Sequence, residues 1–167
     1  MKRRSSFRIA MGLALSLLSG AAPGIDLRAQ EANPIVALGG RWAGTATLVP
    51  ASGPNELFRC VATYFPGEAG ASLRQNLRCK SANYRFDGAA RLKISGGKVT
   101  GRWEDKINPL HGTISGNVTP DGFLILMSGE LFDAKMTVIT SPCRQTITIV
   151  LEEGLPVKSL SADLRKC

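Results

Sequence analysis

Residues 91–103 read Arg91-Leu92-Lys93-Ile94-Ser95-Gly96-Gly97-Lys98-Val99-Thr100-Gly101-Arg102-Trp103. On either side of Ser95-Gly96-Gly97, a polar or basic residue alternates with Leu92, Ile94, Val99 or Trp103. That period of two belongs to half-buried β-strands, because successive side chains of a strand point to opposite faces. The glycine pair suits a tight hairpin turn, where backbone φ must become positive. The stretch therefore predicts two antiparallel strands with one apolar and one basic face.

The same grammar extends in both directions. Residues 57–65 (LFRCVATYF) are rich in aromatic and β-branched types and stop at Pro66, and then Leu73, Leu77 and Cys79 alternate with Arg74, Asn76, Arg78 and Lys80. Downstream come residues 112–118, a Thr119-Pro120-Asp121-Gly122 turn, and further runs over 123–127, 135–140, 145–151 and 157–164. Short strands at this regular spacing predict an all-β antiparallel meander of about 8–10 strands. Closure into a barrel is preferred over the alternative, a β-sandwich, since closure leaves no unpaired edge to aggregate. One domain is expected over residues 40–167, preceded by an irregular leader at 30–39. Gly40-Arg41-Trp42 opens the first strand and Gly101-Arg102-Trp103 repeats it.

The first 29 residues read differently. Four cations precede an apolar run at residues 9–20, followed by small and polar residues up to Ala29. This is the layout of a secretory signal peptide cleaved near Ala29, and the run is below the ~18–20 residues needed to span a bilayer. The expected location is the periplasm or the exterior, with no transmembrane segment once the signal is removed. The chain has 21 Lys+Arg against 13 Asp+Glu, a net charge of +8. Residues 1–29 hold five of those cations and one acid, which leaves 16 against 12 and a net charge of +4 after cleavage. All four cysteines (Cys60, Cys79, Cys143, Cys167) lie after the signal, and an even count in an oxidising compartment implies disulfides. Cys60 and Cys79 flank the turn-like residues 66–71 almost symmetrically, which favours Cys60–Cys79 and leaves Cys143–Cys167.

Gly40-Arg41-Trp42-Ala43-Gly44-Thr45 resembles the G-x-W opening of calycin barrels, the lipocalins, avidins and their relatives. A longer resemblance runs through residues 56–64 (ELFRCVATY), 77–86 (LRCKSANYRF) and 99–116 (VTGRWEDKINPLHGTISG). It is to a family of small exported proteins of alphaproteobacteria, in which G-x-W-x-E/D is followed by G-x-x-S-G. Here Glu104 and Asp105 both follow Trp103 directly, and the pair Cys143 and Cys167 is not part of that pattern. The resemblance implies an exported β-rich domain and transfers no catalytic residue.

A convergent set of catalytic groups is not visible. His111 is the sole histidine, and Ser115 on the same strand face lies about 13 Å away, too far for a direct contact. Glu104-Asp105 and Glu152-Glu153 read as solvated charges at strand ends. With one histidine and paired cysteines, no metal site and no cofactor are expected, and the chain reads as a non-enzyme. Charge placement is the stronger signal. Arg74, Arg78, Lys80, Arg85, Arg91, Lys93, Lys98 and Arg102 are accompanied by a single acid, Asp87, between positions 74 and 102. Alternation sends most of them to the outer face, where they predict a wall for an anionic partner such as an envelope component or an acidic protein surface. Nucleic acid is not expected, given the compartment and the lack of aromatic residues among the cations. The opposite face carries Trp42, Leu48, Tyr64, Leu77, Tyr84, Phe86, Leu92, Ile94 and Trp103 as the expected barrel interior. Three functions follow as expectations: a periplasmic binding or envelope-accessory module, a calycin-type carrier of a small apolar ligand, and an inhibitor of a hydrolase.

Overall fold

A computed structural model describes residues 33–167; the expected signal peptide lies outside the described residues. Ten strands form an antiparallel meander: β1 (Gly40–Pro50), β2 (Glu56–Pro66), β3 (Ser72–Lys80), β4 (Arg85–Ser95), β5 (Lys98–Asp105), β6 (Leu110–Thr119), β7 (Gly122–Gly129), β8 (Asp133–Thr140), β9 (Arg144–Leu151) and β10 (Val157–Arg165). Each strand pairs with its sequence neighbours, and β1 pairs with β10 to close the barrel. Closure satisfies the backbone groups that an open sheet would leave at its edges. The expected barrel is thus the observed architecture, and the sandwich is not.

The opening hairpin folds as its pattern dictates. Ile94 faces Val99 and Ser95 faces Lys98 across the turn, with Gly96 and Gly97 at φ 54° and 75°. Leu92, Val99 and Trp103 are buried while Arg91, Lys93, Lys98 and Arg102 are exposed. The core gathers the inward side chains of all ten strands, with Trp42, Ile125 and Leu164 among its most enclosed members. Leu48, Leu77 and Ile94 pack against this core while only partly buried. Tyr84 does not join it: the ring is 64% exposed in the β3–β4 connection. Strand alternation had ended at Lys80, so parity no longer governed where its side chain points.

In a meander, alternate loops gather at alternate ends, and here one end is closed by the chain that enters it. Residues 33–39 are not wholly irregular, because Pro34–Ala37 form a short helix, α1, with Asn33 Oδ1 accepting from Ile35 N at its start. A cap residue followed at once by Pro is a helix-start signal that operates even in a single turn. Burial of Ile35 and Leu38 seats this segment on the barrel end. Trp42 Nε1 donates to Leu38 O at 2.8 Å, and Asn33 Nδ2 donates to Ala69 O in the β2–β3 connection. Just inside, the Tyr64 hydroxyl donates to Gln145 Oε1 at 2.8 Å and accepts from Gln75 Nε2 at 3.2 Å. Burial holds the Tyr64 hydroxyl well above its usual pKa, the hydrogen bonds to Gln145 and Gln75 offsetting this only in part.

Both disulfides pair as expected, Cys60 with Cys79 and Cys143 with Cys167. Cys60 and Cys79 stand directly opposite each other on β2 and β3, which is why a hairpin between them makes the bridge possible. The second bridge ties the last residue to the β8–β9 connection. Paired cysteines of this kind are characteristic of proteins from oxidising compartments. Among the described residues, no helix is long and apolar enough to cross a membrane.

Candidate functional site

The expected cations lie on β3, β4 and β5, which are neighbours in the barrel. Register sorts them into groups. Arg74 stands opposite Arg91, and Arg91 opposite Arg102, so three guanidinium side chains form one row across three strands. Directly opposed side chains sit about 5 Å apart at Cβ, where like charges repel. Lys93 and Lys98 lie on the same exposed side, towards the closed end. None of these five has a carboxylate partner among the described ion pairs.

The wall is not continuous. Arg78 is compensated by Asp87, whose Oδ2 lies 3.3 Å from Arg78 Nε, with Lys106 Nζ at 4.0 Å from Oδ1. In the next row, Asn76 faces Ala89 and Ala89 faces Glu104, which interrupts the cations with neutral and acidic groups. One aromatic side chain also stands beside the cations, contrary to expectation. Phe65, 41% exposed, is opposite Arg74, and the guanidinium carbon lies 4.7 Å from its ring centre. That stacking holds Arg74 at the edge of the row and leaves its N–H groups for a partner.

A second group of cations sits at the far end of β3. Arg59 faces Lys80, and Lys80 faces Arg85, giving another in-register row. These three border a cleft of about 320 Å³, also lined by Arg78, Cys79, Phe86, Asp87 and Ile107. Phe86 belongs by parity to the interior, yet it is only half-buried and lines this cleft. Its ring lies across Gly88, where an added Cβ would sit 2.5 Å from Phe86 Cε1, so the glycine makes the room the ring occupies. Of the other residues expected inside, Trp42, Tyr64, Leu92 and Trp103 are buried. Arg59 was missed by sequence reading because it lies outside the 74–102 charge run. Its alternation with Phe58 and Cys60 was the available signal.

Asp105 is the largest departure. Read as a solvated strand-end charge beside Glu104, it is buried. Its carboxylate accepts from Asp87 N at 3.3 Å, Ile107 N at 3.0 Å and the Asn108 side-chain amide. Burial alone raises its pKa, but the Asn108 side chain and the backbone N–H groups of Ile107, Asp87 and Asn108 outweigh this and hold it below the usual 3.8. Two of those donors belong to residues that line the cleft, so Asp105 ties the β5–β6 turn to β4 beneath it.

A carboxyl whose folded pKa is depressed contributes stability that is fully present above its unfolded value and is lost as pH falls through the folded one. Asp105→Asn should therefore lower stability at neutral pH by roughly 2–3 kcal/mol, the scale of hydrogen bonds to a charged group. It should also flatten the loss of stability below about pH 4. Urea midpoints measured at both pH values check this; an unchanged acid limb in the variant would refute the role given to Asp105.

Near the same rim, a smaller cavity of about 70 Å³ is lined by Trp103, Pro109, Leu110, His111, Gly129, Glu130, Leu131 and Phe132. Trp103 Nε1 has no hydrogen-bond partner there, and its ring packs against Phe132 with centres 5.5 Å apart. His111 lies on the rim, with Nε2 3.8 Å from Glu130 Oε1 and both side chains exposed. Among the described residues, no cluster of His, Cys, Asp or Glu could hold a metal ion.

No family model matches the chain, and no curated protein matches it in sequence. The resemblance to exported alphaproteobacterial proteins therefore gains no support. In fold, the chain is similar to the solved structure of the S-type phycobiliprotein lyase CPES from Guillardia theta, with a TM-score of 0.57 and 15% identity over 80% of this chain and 90% of that one. Because that neighbour is a lyase by name, the expectation of a non-enzyme draws no support from it. At this identity the likeness extends to the fold alone, a closed antiparallel barrel of ten strands.

Proposed function

We propose that this chain is an exported periplasmic binding module whose basic outer face takes an anionic partner. The observation that carries this reading is the row Arg74–Arg91–Arg102, three directly opposed guanidinium groups with no carboxylate partner among the described residues. Like charges in that arrangement reduce sheet stability. A chain of anionic groups laid across β3–β5 would relieve the repulsion and receive paired N–H donors from each guanidinium. Phosphates of lipopolysaccharide or the charged groups of an envelope glycan have that chemistry. The partner class rests on charge complementarity, and the compartment rests on the signal-like first 29 residues and the two disulfides.

The test is retention on immobilised heparin and on immobilised lipopolysaccharide. Arg74→Ser, Arg91→Ser and Arg102→Ser combined should elute at roughly half the salt concentration of the parent, since three counterion-releasing contacts are removed. A matched control replacing Arg144, Lys158 and Lys166, on other parts of the barrel, should elute close to the parent. Equal loss in both triple variants would mean that net charge alone governs retention and would overturn the reading.

A further inference from the structure

We infer that the rim cleft beside Phe86 is a separate binding site for a small soluble anion with an aromatic or short apolar body, such as an aryl phosphate or aryl carboxylate. It does not depend on the arginine row. Six residues separate Arg74 from Lys80 on β3, about 20 Å along a strand.

Three features of the cleft point the same way. Its size, about 320 Å³, is at the lower end of ligand pockets and suits a single ring with a charged group, while a long acyl chain would not fit. Its charge is lopsided. Asp87 is engaged by Arg78, and Arg59, Lys80 and Arg85 remain in register with no carboxylate partner among the described residues. Two guanidinium forks and an ammonium at one spot match the oxygens of a phosphate or carboxylate. Its floor is apolar and held in place. The Phe86 ring lies across Gly88, Cys79 stands opposite Phe86 on β3, and the Cys60–Cys79 bridge fixes that strand to β2. Exposed Ile107 adds an apolar wall from the β5–β6 turn, which Asp105 holds through Ile107 N. Rigid elements on several sides mean that a ligand meets a preformed surface and loses little affinity to ordering it.

The polar and apolar parts divide the task. The cations select the charged head, and Phe86 with Ile107 discriminates a ring-bearing anion from the bare ion. Inorganic phosphate should bind weakly, and phenyl phosphate should bind at least about tenfold more tightly, the usual worth of burying part of one ring.

Isotope-labelled, disulfide-bonded protein is titrated with phenyl phosphate and separately with inorganic phosphate while the amide signals are followed by NMR. The expected result is saturable shifts at Lys80, Arg85, Phe86 and Ile107, with the tenfold preference for the aryl anion. Arg85→Gln, at an exposed position, should raise the phenyl phosphate Kd about tenfold. Arg91→Ser should leave it unchanged. Phe86→Ala should bring the two anions to within about threefold of each other; if it fails to fold, Arg85→Gln still decides the matter. Equal affinities of the parent for both anions, absent shifts at the cleft, or shifts confined to Arg74, Arg91 and Arg102 would each overturn the assignment. The last outcome would leave the reading of the arginine row standing, just as failure of the heparin test would leave the cleft standing. Binding to phosphatidylglycerol vesicles that Arg85→Gln abolishes would give the cleft to a lipid headgroup and would also overturn it.

Discussion

Replacing Trp42 with alanine should lower the free energy of unfolding by about 3–5 kcal/mol, the range for removing a buried tryptophan from a packed core. Trp42 has 0% exposure, and its indole is where β1, the α1 segment and the barrel end meet. Truncation removes the ring and also leaves Leu38 O, itself in a buried residue, without its donor. The two losses can be separated. Trp42→Phe keeps most of the apolar volume and loses the N–H with a small part of the ring, so it should cost less, about 1–2 kcal/mol. Urea midpoints with an unchanged slope would show that stability alone has changed. If Trp42→Ala cost no more than Trp42→Phe, the plug would owe its place to the hydrogen bond and the packing argument would fail. Binding in the rim cleft, at the opposite end of the barrel, should survive both variants at temperatures where they are folded.

The second large effect separates the two disulfides. Cys60 and Cys79 are 19 residues apart and Cys143 and Cys167 are 24 apart, so loop-closure entropy assigns each bridge about 3 kcal/mol. Their consequences for binding should differ. Cys79 lines the cleft opposite Phe86, so Cys60→Ala with Cys79→Ala should reduce both stability and affinity for phenyl phosphate. Cys143→Ala with Cys167→Ala frees the C-terminus at the other end, and should reduce stability while leaving cleft affinity unchanged. Thermal unfolding and the same titration, run on both double variants, make the comparison. If both lost affinity equally, the effect would be global loosening, and the Cys60–Cys79 bridge would have no special part in shaping the cleft.

Much of this fold could be read before any coordinates. Residues 91–103 specified a hairpin because their alternation and glycine pair act over a few residues, and the observed register places Ile94 opposite Val99 as that reading requires. The symmetric spacing of Cys60 and Cys79 about a turn favoured their pairing, which the observed bridge matches. Where alternation lapsed, so did the reading. Tyr84 lies beyond the end of β3 and is exposed, and α1 is one turn whose signals, Asn33 and Pro34, stand inside a stretch without periodicity.

The candidate site was half legible. Strand parity sent Arg74, Arg91 and Arg102 outward, but parity carries no information about partners on other strands. That Arg78 meets Asp87, that Arg74 stacks on Phe65, and that Glu104 interrupts the cations are consequences of register across several strands. Asp105 was misread because both acids of the pair were taken as strand-end charges, although Asp105 shares its parity with Trp103 and so faces inward. What parity could not show is the set of donors, from β4 and the following turn, that keeps the inward acid charged.

The strands, the two faces of each and the turns between them were legible in the sequence, because each depends on residues close together along the chain; the cysteine pairing was only favoured by it. Closure of β1 on β10, the seating of α1 under Trp42, the donors gathered on Asp105, and the meeting of Arg59, Lys80, Arg85 and Phe86 around one cleft were decided only by the tertiary structure. These join residues whose proximity arises from the twist and closure of the whole sheet, and no local pattern encodes which distant side chains that closure brings together.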